Sequence, residues 1–392
     1  MRSRIAIVGI FIASTSAWAK APSSGDVLKI QSLGEMSAAQ VAQLRTQYGL
    51  DALNPTSYGV HFYKILYSTP DLSGQLSAAS GLLVIPEGSA PEAYPMVSYQ
   101  HGTNTSRTDV PSQMQSPDAL VSGGFYGASG YIVAAADYLG LGDSPGVHPY
   151  LNAKTEASAS ADMIHAARNA LATLNVAYSD KLFLAGYSQG GHATMALHQH
   201  LQMDLGSEYR VTASAPMAGP FDLSVTSFKS AFDHPSENSS LYTAYIARSM
   251  NAVYGNVYNS PSEIFQSPYD QTVDGIFDGT HSNSQVVQAL PASPQLLFRP
   301  EFLNALANDP NHPLNRDLRD NDVYDWKPDA PVALVQSSAD QDVPYHNAEL
   351  TYDRMTALGA NVELVDLGTQ YTHAQAAGPA IYLTLQWFNG MK

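Results

Sequence analysis

The 392-residue sequence calls for an α/β architecture: a mostly parallel central sheet flanked by helices, interrupted by one inserted, mainly helical segment. Three features point there. Short, continuous apolar runs lie over 95–99 and 131–136, 181–185 reads as another buried strand, and 211–217, 331–336 and 362–367 read as further strands. Runs of that length without alternation suit strands buried on both faces. Between several of them lie stretches of helical periodicity. Strands alternating with helices form a parallel sheet covered on both sides. Between about 220 and 328 the alternation stops, and the chain becomes rich in Ser, Asn, Pro and scattered aromatics. That stretch is too long and too apolar for a plain loop.

In chain order, 60–67 and 79–85 alternate, with β-branched and aromatic residues and turn formers between them. They read as an opening antiparallel pair. The clearest helix is 157–174, where Ala161, Ile164, Ala167, Ala170 and Leu171 fall on one face. A helix over 189–203 follows the strand 181–185 without a gap, and 382–389 closes the chain as a helix. The organisation expected is a core in two parts, 20–220 and 329–392, with a cap or lid insertion over 221–328.

Arg2 and Arg4 precede an apolar run over 5–13, and Ala17-Trp18-Ala19 offers small residues where a signal peptidase reads. The expectation is a signal peptide over 1–19, cleaved after Ala19, and a secreted or periplasmic protein. The apolar run is too short to span a bilayer, so no stable membrane insertion is expected. The formal charge is −16, and losing 1–19 removes two arginines and no acids, leaving −18. A balance that acidic repels phosphate backbones and argues against nucleic-acid binding. The sequence has no cysteine, which excludes disulfides, thiolate metal sites and a cysteine nucleophile. It carries no signal of oligomeric state.

Gly186-Tyr187-Ser188-Gln189-Gly190 fits G-x-S-x-G between a strand and a helix. In that context the serine sits on a sharp turn with its hydroxyl exposed, and Ser188 is the candidate nucleophile. A serine hydroxyl needs a base. His373 follows the last expected strand, in a loop at the carboxyl edge of the sheet where ligand sites gather. The acid belongs in the turn 337–344, where Asp340 is favoured over Asp342; Asp366, within a strand, is a poorer candidate. Asp342 is expected to be a surface charge. Ser, acid, His is the chain order of one known triad arrangement. An oxyanion hole would take the backbone N–H of Gln189, after the nucleophile, and of Thr103, in the loop Gln100-His101-Gly102-Thr103. Asp137 is expected to tie down its own loop. The pair His198 and His200 is not a metal pair, since an i, i+2 spacing puts the rings on different helix faces. No cluster with metal-ligand spacing is found, and no cofactor is expected.

With Ser188, Asp340, His373 and His101-Gly102-Thr103 in this order, the chain resembles an α/β-hydrolase, and in particular the secretory lipases and related secreted serine esterases. Asp137-Tyr138-Leu139-Gly140-Leu141-Gly142, the long insertion and Asp325-Trp326-Lys327-Pro328 add to the likeness, which covers about 60–390. Ser337 departs from it, standing where many relatives have glycine. The resemblance implies the α/β-hydrolase fold and hydrolysis of a small-molecule or lipid carboxylic ester through an acyl-enzyme, without a metal. Two other readings remain: a prolyl-cleaving serine peptidase on the same fold, using acids such as Glu237, Glu263 and Glu301, and a non-catalytic binding protein. The apolar insertion is expected to wall an acyl pocket, with Leu297 and Phe298 as its first candidates.

Overall fold

A computed structural model describes residues 23–47, 58–88 and 93–392. The expected signal peptide and its cleavage site lie outside these residues. Among the described residues, nine strands form one sheet in the order β1-β2-β3-β5-β4-β6-β7-β8-β9. They are β1 (Val27–Met36), β2 (Gly59–Pro70), β3 (Leu76–Glu87), β4 (Tyr94–Gln100), β5 (Ile132–Ala136), β6 (Tyr178–Tyr187), β7 (Val211–Met217), β8 (Val332–Gln336) and β9 (Val362–Asp366). Strands β1, β2, β3 and β5 pair antiparallel; from β5 to β9 every pairing is parallel. This is the α/β-hydrolase fold that the sequence predicted.

The central strands show why their sequences are unbroken apolar runs. In β6, Phe183, Ala185 and Tyr187 enter the core on one face of the sheet, while Leu182 and Leu184 enter the core on the other. β5 divides in the same way, with Val133 and Ala135 against Ile132 and Ala134. The first face is covered by the carboxyl-terminal helix His373–Asn389, and the second by the helices Ala153–Leu174 and Gln189–Met203. Side chains alternate across a strand, so both sets must be apolar when both faces are covered.

Three elements differ from expectation. The edge strand β1 and the helix Ala38–Gln47 after it were not expected. β1 has mostly half-exposed or exposed residues and a register shift near Ser32 and Gly34, so its sequence carries no clean period. The last helix begins at His373, well before residue 382. Gly378 and Pro379 inside it read as breakers, yet Thr372 and Gln375 form a capping box that starts it.

Between β7 and β8 the chain is mainly helical, from Phe228–Asp233 and the long Ser239–Tyr254 through to Pro313–Arg319. It encloses its own apolar cluster. Leu297 and Phe298 are fully buried there, with Phe298 ringed by Phe232, Phe265 and Phe302. This corrects the expectation that these two residues wall an acyl pocket. They are the densest apolar run because they are the insertion's own core.

Candidate active site

Ser188 sits between the last residue of β6 and the first residue of the helix Gln189–Met203. Its backbone takes φ 61° and ψ −123°, a sparsely populated conformation that costs on the order of 1–3 kcal/mol and persists only when its surroundings fix it. Here the Ser188 N–H donates to the Met217 carbonyl of β7 at 3.0 Å. The flanking glycines make the turn possible. A Cβ on Gly190 would collide with the Gln100 carbonyl, and one on Gly186 with the carbonyls of Gly190 and Gln100.

His373 is the first residue of its helix, and its ring bridges two partners. Nε2 lies 2.9 Å from Ser188 Oγ, and Nδ1 lies 2.6 Å from Asp340 Oδ2. The other Asp340 oxygen accepts the N–H groups of Asp342 and Val343, each at 2.9 Å, which aims the carboxylate. Burial favours a neutral His373 ring, but the hydrogen bond and charge of Asp340, with the charge of Asp342, offset it and hold the ring above the usual histidine range. A hydroxyl, an imidazole and a carboxylate in this series can pass a proton from serine to histidine while the carboxylate stabilises the charged ring.

Asp342 turns away from His373. Its Oδ2 accepts from Asn238 Nδ2 and Tyr242 OH, both at 3.0 Å. It therefore pins the insertion beside the site and is not the plain surface charge expected. Asp366, at the end of β9, accepts the N–H groups of Ser338 and Gly368 and braces the same turn from the far side.

The loop after β4 passes against the nucleophile: a Cβ at Gly102 would lie 3.9 Å from Ser188 Cβ. His101 is buried, stacks on Tyr138 and faces the carbonyls of Gly102 and Asp137. Thr103 is tied on both sides, its Oγ1 at 2.9 Å from Tyr150 OH and its carbonyl accepting Asn283 Nδ2 at 2.6 Å. Asp137 accepts the Ser112 N–H and the hydroxyls of Ser112 and Ser80, as its expected tethering role requires. His198 and His200 diverge, one to Ser214 and the other to Asp204.

Beneath Gln189 lies a buried network that the sequence did not disclose. Gln189 Nε2 donates to Glu156 Oε1 at 2.8 Å and to His148 Nε2 at 2.9 Å. Glu156 Oε2 lies 2.7 Å from His192 Nδ1, and His192 Nε2 is 2.9 Å from the Asn321 carbonyl. Burial pushes His148 down to about 3, so it is neutral: Nδ1 donates to the Leu139 carbonyl and Nε2 accepts from Gln189. Burial acts in the same direction on His192, but the charge and hydrogen bond of Glu156 outweigh it and raise the ring above its ordinary value. Glu156 reads in sequence as an ordinary first-turn acid, and only packing brings it under the turn.

Next to Ser188 and Gln189 opens a pocket walled by Tyr150, Leu151, Leu223, Phe228, Ile246 and Val343. Neither Leu297 nor Phe298 lines it: Tyr150 and Leu151 come from the loop before the helix Ala153–Leu174, Val343 from the acid turn, and Leu223, Phe228 and Ile246 from the first part of the insertion.

The secretory lipase family model matches residues 111–390. The chain belongs to the secretory lipase family. It is similar over 93% of its length to a putative hydrolase from Legionella pneumophila, at 31% identity, 97% coverage of that chain and a TM-score of 0.88. The rice cell wall degrading esterase LipA from Xanthomonas oryzae matches at 30% identity, 93% and 96% coverage and a TM-score of 0.82. Lipase A from Candida antarctica shares the fold at 17% identity, with 94% and 83% coverage and a TM-score of 0.69. No significant match to a curated relative is found. This member of the secretory lipase family is thus a hydrolase of the lipase and esterase type. No described helix is long and apolar enough to cross a membrane.

Proposed function

We propose that this protein is an exported serine carboxylester hydrolase. Ser188 Oγ attacks the ester carbonyl, and His373 Nε2 takes its proton. Asp340 orients the ring and stabilises its charged form. The N–H groups of Gln189 and Thr103 hold the developing oxyanion. Collapse of the tetrahedral intermediate releases the alcohol, which receives the proton from His373, and leaves an acyl-enzyme on Ser188. Water, deprotonated by the same ring, then frees the acid. The carrying observation is the unbroken series Ser188 Oγ to His373 Nε2 at 2.9 Å and His373 Nδ1 to Asp340 Oδ2 at 2.6 Å.

The apolar pocket beside Ser188 suits the acyl chain. The segment 221–328 contributes Leu223, Phe228 and Ile246 to it, which supports reading that segment as a cap. The basic start and Ala17-Trp18-Ala19, with the family, support export after cleavage at Ala19. The peptidase reading requires acids around the bound substrate, and Glu237, Glu263 and Glu301 do not line the pocket. A binding protein would not need the hydrogen-bonded series. Assay of a chromogenic ester beside a peptide anilide tests the choice. Turnover of the ester alone, lost by about three orders of magnitude or more in Ser188→Ala, is expected; preferential cleavage of the anilide, or no turnover of either, would reject the ester reading.

A further inference from the structure

Far from Ser188, three side chains on adjacent strands meet. Pairing sets Glu35 of β1 opposite His61 of β2, and His61 opposite Ile85 of β3. Glu87 lies two residues beyond Ile85 and so on the same sheet face. Both Glu35 Oε1 and Glu87 Oε1 come within 3.3 Å of His61 Nδ1. Ligand atoms of all three residues lie within 4.8 Å of one another. Around a tetrahedral zinc ion with bonds of about 2.0–2.2 Å, neighbouring ligand atoms stand about 3.3–3.6 Å apart, and the two distances from His61 Nδ1 to the glutamate oxygens fall at that separation.

The ring's hydrogen bonds fit the form that binds a metal. Nε2 is 2.7 Å from Ser32 Oγ, and Nδ1 is 3.1 Å from the Tyr63 hydroxyl. A neutral ring meets both: its Nε2–H donates to Ser32, and its Nδ1 lone pair faces Tyr63 and the two carboxylates. Such an outer-shell partner on the second nitrogen fixes the tautomer of a ligating histidine. Tyr63 also stacks on the ring, with centroids 4.1 Å apart. A neutral imidazole and two carboxylates sum to −2, matching a divalent cation. An imidazole with two carboxylates selects zinc-like ions over calcium or magnesium, which take oxygen ligands.

We propose that Glu35, His61 and Glu87 form a zinc-type divalent-cation site that cross-links the antiparallel edge of the sheet. β3 runs antiparallel to β5, with Gly81 opposite Ala136 and Val84 opposite Val133. Glu87 therefore lies past the amino-terminal end of the parallel strands, whereas Ser188 stands at the carboxyl end of β6. The ion is a structural clip and takes no part in ester chemistry. Ligands on three strands leave no local spacing in the sequence, which is why no metal cluster was expected.

The test titrates zinc chloride into the full chain after EDTA treatment and dialysis, read by calorimetry and thermal unfolding. The expected result is one zinc ion per chain, a rise in Tm, no competition from excess magnesium or calcium, and unchanged ester turnover. His61→Ala should weaken binding by at least the roughly 10- to 100-fold that loss of an outer-shell partner costs. Glu35→Gln, at an exposed position, should also weaken it while keeping the wild-type circular dichroism spectrum. Ser32→Ala should weaken it less. Zinc binding that is absent in the wild type, or equally strong in His61→Ala and Glu35→Gln, would overturn the proposal and leave an ion pair between a protonated His61 and the two glutamates. Failure here leaves the ester reading untouched, because turnover is measured in the same samples.

Discussion

Ser337 Oγ stands 2.6 Å from the Tyr371 carbonyl and 2.8 Å from that of Gly368, and so joins the turn that carries Asp340 to the loop that delivers His373. Here the serine is fully buried and also accepts the Ala339 N–H at 3.2 Å. It locks two segments whose relative position sets the 2.6 Å contact between Asp340 and His373. Ser337→Ala removes the hydroxyl that these half-buried carbonyls share, at about 0.5–1.5 kcal/mol. The expected outcome is a lower Tm and a several-fold lower kcat, with the serine still reactive. Unchanged stability and rate would show that the loops hold their positions without this serine.

The two aspartates of the acid turn should separate cleanly. Asp340→Asn removes the anionic partner of His373 and allows the wrong tautomer, so a loss of up to about 10⁴-fold in kcat is expected. Asp342→Asn keeps a side chain that can still accept from Asn238 and Tyr242, and should remain within about tenfold of wild type. Steady-state kinetics of both variants decides it; the reverse order would move the acid two residues along.

The pH profile carries a sign. His373 accepts a proton only when neutral, and its folded value is raised. Activity should therefore fall as pH drops through a value above the ordinary histidine figure of about 6.5. Stability runs the other way. The charged ring's contribution is fully present below the unfolded value and is lost as pH rises through the raised folded value. Asp342→Asn removes one charge that raises the ring, so the acid limb of kcat/KM should move to lower pH. An acid limb that stays in place would mean Asp342 exerts no such influence.

Much of this was legible in the sequence, and the reasons differ by element. β6 and the helix after Ser188 were plain because burial on both faces demands a continuous apolar run. β1 was hidden because an edge strand buries little. The start of the last helix was hidden because Pro379 outweighs, in local sequence, a capping box at Thr372 and Gln375. Ser188 and His373 could be placed from turn and strand order. Glu156 and His148 could not, because their role arises from contacts with Gln189 across 33 and 41 residues.

Glu156 should act through position. In Glu156→Ala, Gln189 and His192 lose their shared partner, and the turn bearing Ser188 loosens. Small displacements at a reacting centre cost up to about 100-fold, so kcat should fall by about 10- to 100-fold with a smaller change in KM. Glu156→Gln should recover most of the rate. Its carbonyl can accept from Gln189 while its amide donates to a neutral His192, which still donates to Asn321. Equal loss in both variants would show that the charge is needed, and no loss in either would remove Glu156 from the account.

Acyl-chain preference should track the pocket wall and not the insertion's core. Catalytic efficiency is expected to rise from acetate to at least hexanoate, since each buried methylene contributes about 0.8 kcal/mol. Phe228→Ala or Ile246→Ala should flatten that profile more than it lowers acetate turnover. Phe298→Ala should cost about 3–5 kcal/mol of stability and leave the shape of the profile intact. A chain-length series on these variants beside thermal unfolding reads both effects. A flat wild-type profile would mean that the pocket does not hold the acyl chain.

The central claim is that Ser188 is a nucleophile activated by His373. Its most direct measurement is covalent labelling with a fluorophosphonate probe, followed by peptide mapping of the modified residue. One label per chain on Ser188 is predicted, absent in Ser188→Ala and slowed by orders of magnitude in His373→Ala. A label on another serine, or equal labelling in the Ser188→Ala variant, would contradict the account.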